Sequence, residues 1–348
     1  MSARESIVPF FVPHYGCPYA CVFCNQTHIT GSRETVSPDA VLRTVEQAQQ
    51  FLDPDSKRQL AFYGGSFTAI PIPEQTALLE AGAQCVQNGW IDTIRLSTRP
   101  DAVSAETLER LRRYPVNTIE LGAQSMDDEV LALAGRGHNS DAVRKASVLI
   151  HEFGFRLILQ MMTGLPGDTM EKAVRTAKEL IALAPDGVRV YPAVIVRDTA
   201  LYRMWKTGEY REHTVEDAVS VCARLLPLFE EASIPVIRLG LNPTEELSGG
   251  EAAGGAYHPA LGELVKSRVL RNRAEELLKA SDLAGKSVIL SVPPGLRSQM
   301  TGQHRENLAY LKKKYSLADI RVEESDTTSR TTLSCTINET IQETITCT

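Results

Sequence analysis

The chain has 348 residues, 43% of them hydrophobic and 23% charged, with a formal net charge of −6. That composition is ordinary for a globular protein and excludes collagen-like and intrinsically disordered classes. No apolar run reaches the roughly 18 residues of a membrane span. The opening MSARESIVPFFVPHYGC has a weakly charged end and an early Pro and His, and it does not read as a secretory signal. A cytoplasmic location, where free thiols persist, and no membrane partner are expected.

In chain order, short apolar runs at 7–13, 60–63, 93–97, 118–121, 155–161 and 187–191 read as strands. They alternate with amphipathic stretches near 38–52, 73–88, 104–114, 126–133, 139–153 and 170–183 that read as helices. Helix-start chemistry supports several of these. Ser37-Pro38-Asp39 puts a capping hydroxyl before a proline in the first turn, and Ser104 stands before Glu106 and Thr107. Strand–helix repeats of about 30 residues imply parallel strands joined by right-handed crossovers, closing toward a barrel or an open doubly wound sheet. Either form places the site at the C-terminal strand ends. The polar and glycine-rich motifs fall there: His14-Tyr-Gly-Cys17, Gly64-Gly65-Ser66, Thr98-Arg99, Gln124-Ser125, Gly164-Leu-Pro-Gly167 and Pro192.

Beyond about residue 240 the texture changes. Residues 248–255 (SGGEAAGG) read as a flexible loop, 264–280 as a basic helix and 286–324 as a compact segment. The last 23 residues carry nine Thr and no aromatic, and read as a disordered tail. The expected division is 1–245, 246–284, 285–325 and 326–348. Residues 264–325 carry 12 Lys and Arg against 7 Asp and Glu, whereas the remainder has a net charge of −11. This basic segment on an acidic body suits a polyanion partner or is a fluctuation of the surface.

Cys17, Cys21 and Cys24 crowd into eight residues after the first strand, while Cys85, Cys222, Cys335 and Cys347 are scattered and form no second motif. Cys85 and Cys222 read as small apolar core residues. An odd cysteine count argues against a disulfide framework and for a metal or redox site. Three close thiolates suit iron–sulfur or zinc. His14 or His28 could complete a four-ligand zinc site; alternatively, three ligands on a four-iron cluster leave one iron open to a small molecule.

With Tyr19 and Phe23 flanking the cysteines and a Gly-Gly pair after the second strand, the chain resembles the radical S-adenosylmethionine (SAM) superfamily. The resemblance implies a partial (β/α)6 TIM-like barrel and a [4Fe-4S] cluster on Cys17, Cys21 and Cys24. The open iron of that cluster would chelate the amino and carboxylate groups of SAM. One electron from an external flavodoxin- or ferredoxin-type reductant would then release a 5′-deoxyadenosyl radical. It further implies Tyr19 and Phe23 as cofactor-side aromatics, Phe23 on the adenine side. Gly64 and Gly65 would receive the amino group on their backbone, with Ser66 standing where the family usually has Glu. Ser97, Arg99 and Gln124 fall where ribose and carboxylate contacts are typical.

Longer blocks resemble the radical domain of the Elongator catalytic subunit, a family that modifies wobble uridines in transfer RNA. They are Tyr63–Pro71 (YGGSFTAIP), Ala123-Gln-Ser-Met-Asp127 with Gly135-Arg-Gly-His138, Met161-Met-Thr-Gly-Leu-Pro166 and the stretch 191–210. The resemblance covers roughly residues 7–240 and is specific at those blocks. The first two cysteines are closer here than in that family. The 108 residues after 240 do not read as its acetyltransferase domain. Transfer RNA or another RNA is therefore the implied substrate class. The Gly164-Leu-Pro-Gly167 loop also resembles coproporphyrinogen-type enzymes, which leaves a small-molecule or peptide substrate open; a non-enzymatic iron–sulfur or zinc RNA-binding factor that has kept the fold is a third alternative. Tyr191, Arg197 and Lys206 read as substrate-facing or as structural caps, and His138 as a loop histidine or proton donor.

In the C-terminal segment, 287–293 and 319–323 alternate like strands, and 306–315 reads as a helix with Lys312, Lys313 and Lys314 outward. The order resembles a small KH-type unit, in which a GXXG loop clamps a nucleic-acid backbone. Gly302-Gln-His-Arg305 occupies that loop, with Arg305 in place of the second glycine. Gly302, His304, Arg305, Lys312 and Lys313 are the implied RNA contacts; an ordinary accessory lobe with a solvated lysine face is the alternative.

Overall fold

A computed structural model describes residues 5–12, 17, 19–25, 36–244, 247–279, 282–326, 332–337 and 340–346. β1 (Glu5–Phe11), β2 (Lys57–Tyr63), β3 (Thr93–Thr98), β4 (Val116–Gln124), β5 (Arg156–Thr163) and β6 (Gly187–Pro192) lie side by side in chain order. β7 (Val194–Val196) leaves this sheet and β8 (Val236–Leu239) rejoins it beyond β6. Every neighbouring pair is parallel, as in Phe10 opposite Phe62 and Thr163 opposite Pro192. The partial barrel therefore has seven strands where the sequence repeats suggest six. The missed strand, β8, is short and only half-buried, so it carries no strong apolar signal.

The crossovers are α1 (Pro38–Ala48), α2 (Ile72–Gln87), α3 (Ala105–Leu111), the pair α4 (Asp128–Leu133) and α5 (Ser140–Glu152), and α6 (Met170–Ala182). Their starts obey local chemistry. Ser37 Oγ accepts from Ala40 N with Pro38 in the first turn, and Ser104, Asp127, Asn139 and Thr169 cap the later helices in the same way. Side chains alternate across each strand. One face of the sheet sends Leu60, Phe62, Ile94, Leu96, Ile119 and Leu121 into the core beneath the helices, all fully buried. Phe67 stacks on Phe62 at 4.8 Å. Each such side chain is worth roughly 1.5–3 kcal/mol in burial. The opposite face carries Gln59, Tyr63, Arg95, Glu120, Gln160 and Arg189, linked in one polar network.

Residues 248–255 do not form the flexible loop that their glycines suggest. β9 (Ala252–Gly255) pairs antiparallel with β7. Gly255 has φ +83°, and a Cβ there would stand 2.8 Å from Ala193 O and 2.9 Å from Ile195 N, so glycine is what allows the close approach.

The chain divides into two units, Met1–Thr214 with Ile234–Tyr257, and Val215–Ser233 with His258–Thr348. This differs from the boundaries expected at 245, 284 and 325. In the second unit α8 (Val215–Glu231) packs against α9 (Leu261–Leu278), so the basic helix belongs to this unit. Leu270, Ala274, Leu277 and Leu278 of α9 share a core with β10 (Ser287–Val292), α10 (Arg297–Thr301), α11 (Glu306–Lys314) and β11 (Asp319–Glu324). β10 and β11 are parallel. β12 (Thr332–Ile337) pairs antiparallel with β10, and β13 (Thr340–Thr346) with β12. Residues 332–337 and 340–346 of the threonine-rich end are thus sheet, where the composition reads as a disordered tail. Composition hid the alternation of Leu333, Cys335 and Ile337, which are buried, and threonine is β-branched and suits a strand.

Candidate active site

The cysteine loop is tied down on two sides. Val22 N donates to Ala134 O at the end of α4 (3.1 Å), and Val22 O accepts from Leu201 N (2.7 Å) at the start of α7 (Ala200–Thr207). Cys24 N donates to Cys21 O, forming a tight turn between two of the cysteines. Cys21 is buried, and Cys17 and Cys24 are half-buried. Phe23 packs with Val22 and Met162 against Val130, Ala134 and Leu165, and also faces Leu201 and Tyr210. His14 and His28 lie outside the described residues.

Tyr19, 46% exposed, lies under the Arg99 guanidinium, 4.6 Å from the ring centroid. Its ring also covers Gly137. Arg99 is 3% exposed, so it is not a solvated surface arginine. Its Nε and Nη2 donate to Asp101 (3.0 and 3.1 Å), Nη2 also reaches Arg136 O, and Nη1 is buried without a partner. Ser97 shares a strand face with Arg95 and is half-buried.

After β2, Gly64 adopts φ +101°, a backbone that side chains disfavour. Ser66 is fully buried; its hydroxyl bonds Thr98 Oγ1 (3.1 Å) and accepts from Arg99 N (3.4 Å). The family resemblance implies Ser66 among the cofactor contacts, whereas the structure commits its hydroxyl to joining the ends of β2 and β3. Gln124 ends β4 with φ +66°, and its Oε1 is buried without a partner.

Two features went unread in the sequence. Arg136, 6% exposed, donates from Nη1 to Cys21 Sγ (3.3 Å), from Nη2 to Gly122 O (2.7 Å) and from Nε to His138 Nε2 (3.3 Å). An arginine between two glycines was the available signal. The second is Glu120, fully buried, which accepts from Arg95 Nη1, Arg189, Gln160 and Tyr63. Those donors hold its carboxyl below the usual range despite burial, and Tyr63 is pushed up by burial and by Glu120. A lone Glu inside an apolar strand was the signal there. Tyr191 shares the strand face of Arg189. Arg197 Nε donates to Gly250 O, and Lys206 sits 4.3 Å from the Trp205 ring.

Comparison with known proteins converges on one reading. The family model described as the Radical SAM superfamily matches residues 11–180, and that of the Radical SAM C-terminal domain matches 185–271. The chain belongs to the radical SAM superfamily. It is 27% identical over 197 residues to the tRNA uridine(34) acetyltransferase of Methanocaldococcus infernus, covering 51% of this chain and 37% of that protein. It is 28% identical over 204 residues to the human Elongator complex protein 3, covering 53% and 37%. The matched part thus spans little more than a third of these relatives. A solved structure of the archaeal Elp3 from Methanocaldococcus infernus superposes with a TM-score of 0.60 at 22% identity, covering 81% of this chain and 65% of that one. This likeness bears on the fold.

The residues of this radical SAM chain suit the groups that the family uses in general, an iron–sulfur cluster and SAM. The thiol donors are soft ligands of the right kind. The described residues hold no tight group of three Cys, His, Asp or Glu side chains of the sort that grips a single ion; a polynuclear cluster spreads its ligands farther apart. A guanidinium already faces one of the sulfurs. The orphaned Gln124 Oε1 and Arg99 Nη1 lie at the ends of strands β4 and β3.

In the second unit, Gly302, His304 and Arg305 form one turn between α10 and α11. His304 and Arg305 both have left-handed backbones, φ +49° and +65°, and both are exposed, as are Lys312 and Lys313. Asn307 anchors the turn from below, its Nδ2 donating to Ser267 Oγ (2.9 Å) and Met300 O (3.1 Å). Among the described residues no helix is long and apolar enough to cross a membrane.

Proposed function

We propose that this chain is a radical SAM enzyme that modifies RNA, with transfer RNA as the substrate class. Cys17, Cys21 and Cys24 would hold a [4Fe-4S] cluster, and SAM would occupy the C-terminal ends of β2, β3 and β4. When bound, the pair supplies a 5′-deoxyadenosyl radical and methionine after one electron from an external flavodoxin- or ferredoxin-type donor.

The chain's own residues bind and orient. The glycine-rich turn at Gly64-Gly65 bares backbone where a ligand's amino group can approach. The Gln124 amide presents an acceptor with no protein partner. Arg99 does not serve as a free carboxylate fork, because Asp101 already takes two of its nitrogens; Nη1 alone is left to donate. Arg99 and Gly137 instead clamp Tyr19 over the loop. The apolar bed of Phe23, Leu165 and Met162 keeps water from that side.

The observation that carries this reading is the placement of the three-cysteine loop beside the β3 and β4 ends with a buried guanidinium on Cys21. The RNA substrate is supported by the names of the matched relatives and by the exposed cationic turn of the second unit. Anaerobically isolated protein is expected to bind iron with a broad visible absorbance that Cys21→Ala loses, and to release 5′-deoxyadenosine from SAM once reduced. Iron-free protein, or loaded protein that yields no 5′-deoxyadenosine, overturns the chemistry. Transfer RNA nucleosides compared between cells with and without the gene test the substrate; identical profiles favour a small molecule or peptide.

A further inference from the structure

Two buried guanidiniums stand beside the cysteine loop, and they differ in one respect. Arg99 has the Asp101 carboxylate against it. Arg136 has none: among the described residues its partners are a carbonyl, a neutral-type imidazole nitrogen and the Cys21 sulfur. A buried cation without an anion is costly unless one arrives. Several features nevertheless keep it there. Gly122 lacks the Cβ that would stand 3.3 Å from Arg136 Nη2. Gly135 and Gly137 on either side have φ +66° and +73°, and Arg99 Nη2 holds the Arg136 carbonyl. His138 Nδ1 lies 3.2 Å from Asn139 O, which leaves Nε2 to accept from Arg136.

We propose that Arg136 is the positioning residue of the cluster: its guanidinium is the counter-charge and hydrogen-bond donor to the Cys21 thiolate, and it raises the cluster's reduction potential. The inference rests on the radical SAM reading above and adds to it a residue that tunes electron entry. Each electron added to a thiolate-ligated cluster increases its negative charge. A fixed N–H donor and positive charge at a ligand sulfur therefore stabilise the reduced form more than the oxidised form.

The test is a redox titration followed by electron paramagnetic resonance on the anaerobically loaded full chain without SAM. The native protein is compared with Arg136→Gln, which removes the charge, and Arg136→Lys, whose ammonium cannot bridge Cys21 Sγ and Gly122 O together. Potentials are compared at equal iron per chain. The one-electron reduction constant is expected to fall about tenfold in Arg136→Gln, a shift of about 59 mV, and by less in Arg136→Lys. An unchanged potential in whichever variant loads iron overturns the proposal. So does iron loss from both variants while they still melt like the native chain, which assigns Arg136 to cluster assembly alone. If the native chain itself takes up no cluster, the radical SAM reading fails instead, and the two failures are distinguished.

Discussion

Gly137 presents bare backbone to the ring of Tyr19: a Cβ there would stand 2.5 Å from the ring's Cζ. This approach joins the turn between α4 and α5 to the cysteine loop, and the Arg99 guanidinium lies 4.6 Å from the centroid of the same ring. Gly137 also has φ +73°, where a side chain is strained. Gly137→Ala is therefore expected to lose about 1–3 kcal/mol of stability and to displace Tyr19, with lower iron uptake. Chemical denaturation and iron analysis check both; native stability and native iron together would refute the packing argument.

Glu120 is the buried carboxylate between Arg95 and Arg189, bonded at 3.0 Å and 2.8 Å. Removing one member of such a set strands the other charges. Glu120→Gln is expected to cost roughly 3–5 kcal/mol, read as a lower urea midpoint. Its folded pKa lies below the unfolded one, so its contribution is present above the unfolded carboxylate range and is lost as pH falls. The variant should accordingly lose less stability than the native chain on acidification.

The barrel was legible because its signals are local and repeated. Capping residues at Ser37 and Ser104 and apolar runs every 30 residues or so need no tertiary knowledge. The cysteine spacing likewise singles out Cys17, Cys21 and Cys24 as candidate ligands. The partners of these residues were not legible. Ser66 and Arg99 stand just past the ends of β2 and β3, but the direction of their side chains depends on Thr98 and Asp101, which no spacing reveals. Arg136 reaches Cys21 across 115 positions of sequence. The tail from 332 failed for a different reason: threonine-rich composition reads as polar, and only the alternating burial of Leu333, Cys335 and Ile337 against β10 and α9 makes it a strand.

His138 is held neutral. Burial first, then the Arg136 charge, lower its pKa from 6.5 to about 4. The unfolded chain thus takes up a proton between pH 6.5 and 4 that the folded chain refuses. Its contribution is complete above pH 6.5 and is lost as pH falls through that window. Unfolding measured across pH 4–7 should show this slope in the native protein and a flatter one in His138→Asn. Parallel curves would refute the assignment.

Gln124 combines a strained backbone with an unpartnered Oε1. If that oxygen waits for SAM, Gln124→Ala and Gln124→Gly should both weaken SAM binding about tenfold, or about 1.4 kcal/mol, with iron content unchanged. The glycine variant should be the more stable of the two by about 1 kcal/mol, because φ +66° suits it. Equilibrium binding and denaturation separate the two effects. Unaltered affinity in both variants would place the amide outside the cofactor site.

Arg305 sits where glycine is at ease, with φ +65° and ψ +25°, at the entrance of α11. Its side chain is exposed, so burial does not offset the strain. A charge kept there against backbone preference fits an interaction with phosphate. Arg305→Gly should then raise the stability of the chain by up to about 1 kcal/mol while lowering its affinity for transfer RNA. Removing one cation–phosphate pair reduces the slope of log affinity against log salt by about 0.9 on duplex and about 0.7 on single strands. Binding of transfer RNA measured at several salt concentrations, native against Arg305→Gly and Lys312→Ala, reads this directly. A more stable variant with the native salt slope would remove the turn from the proposed RNA-binding surface and leave Arg305 without a role there.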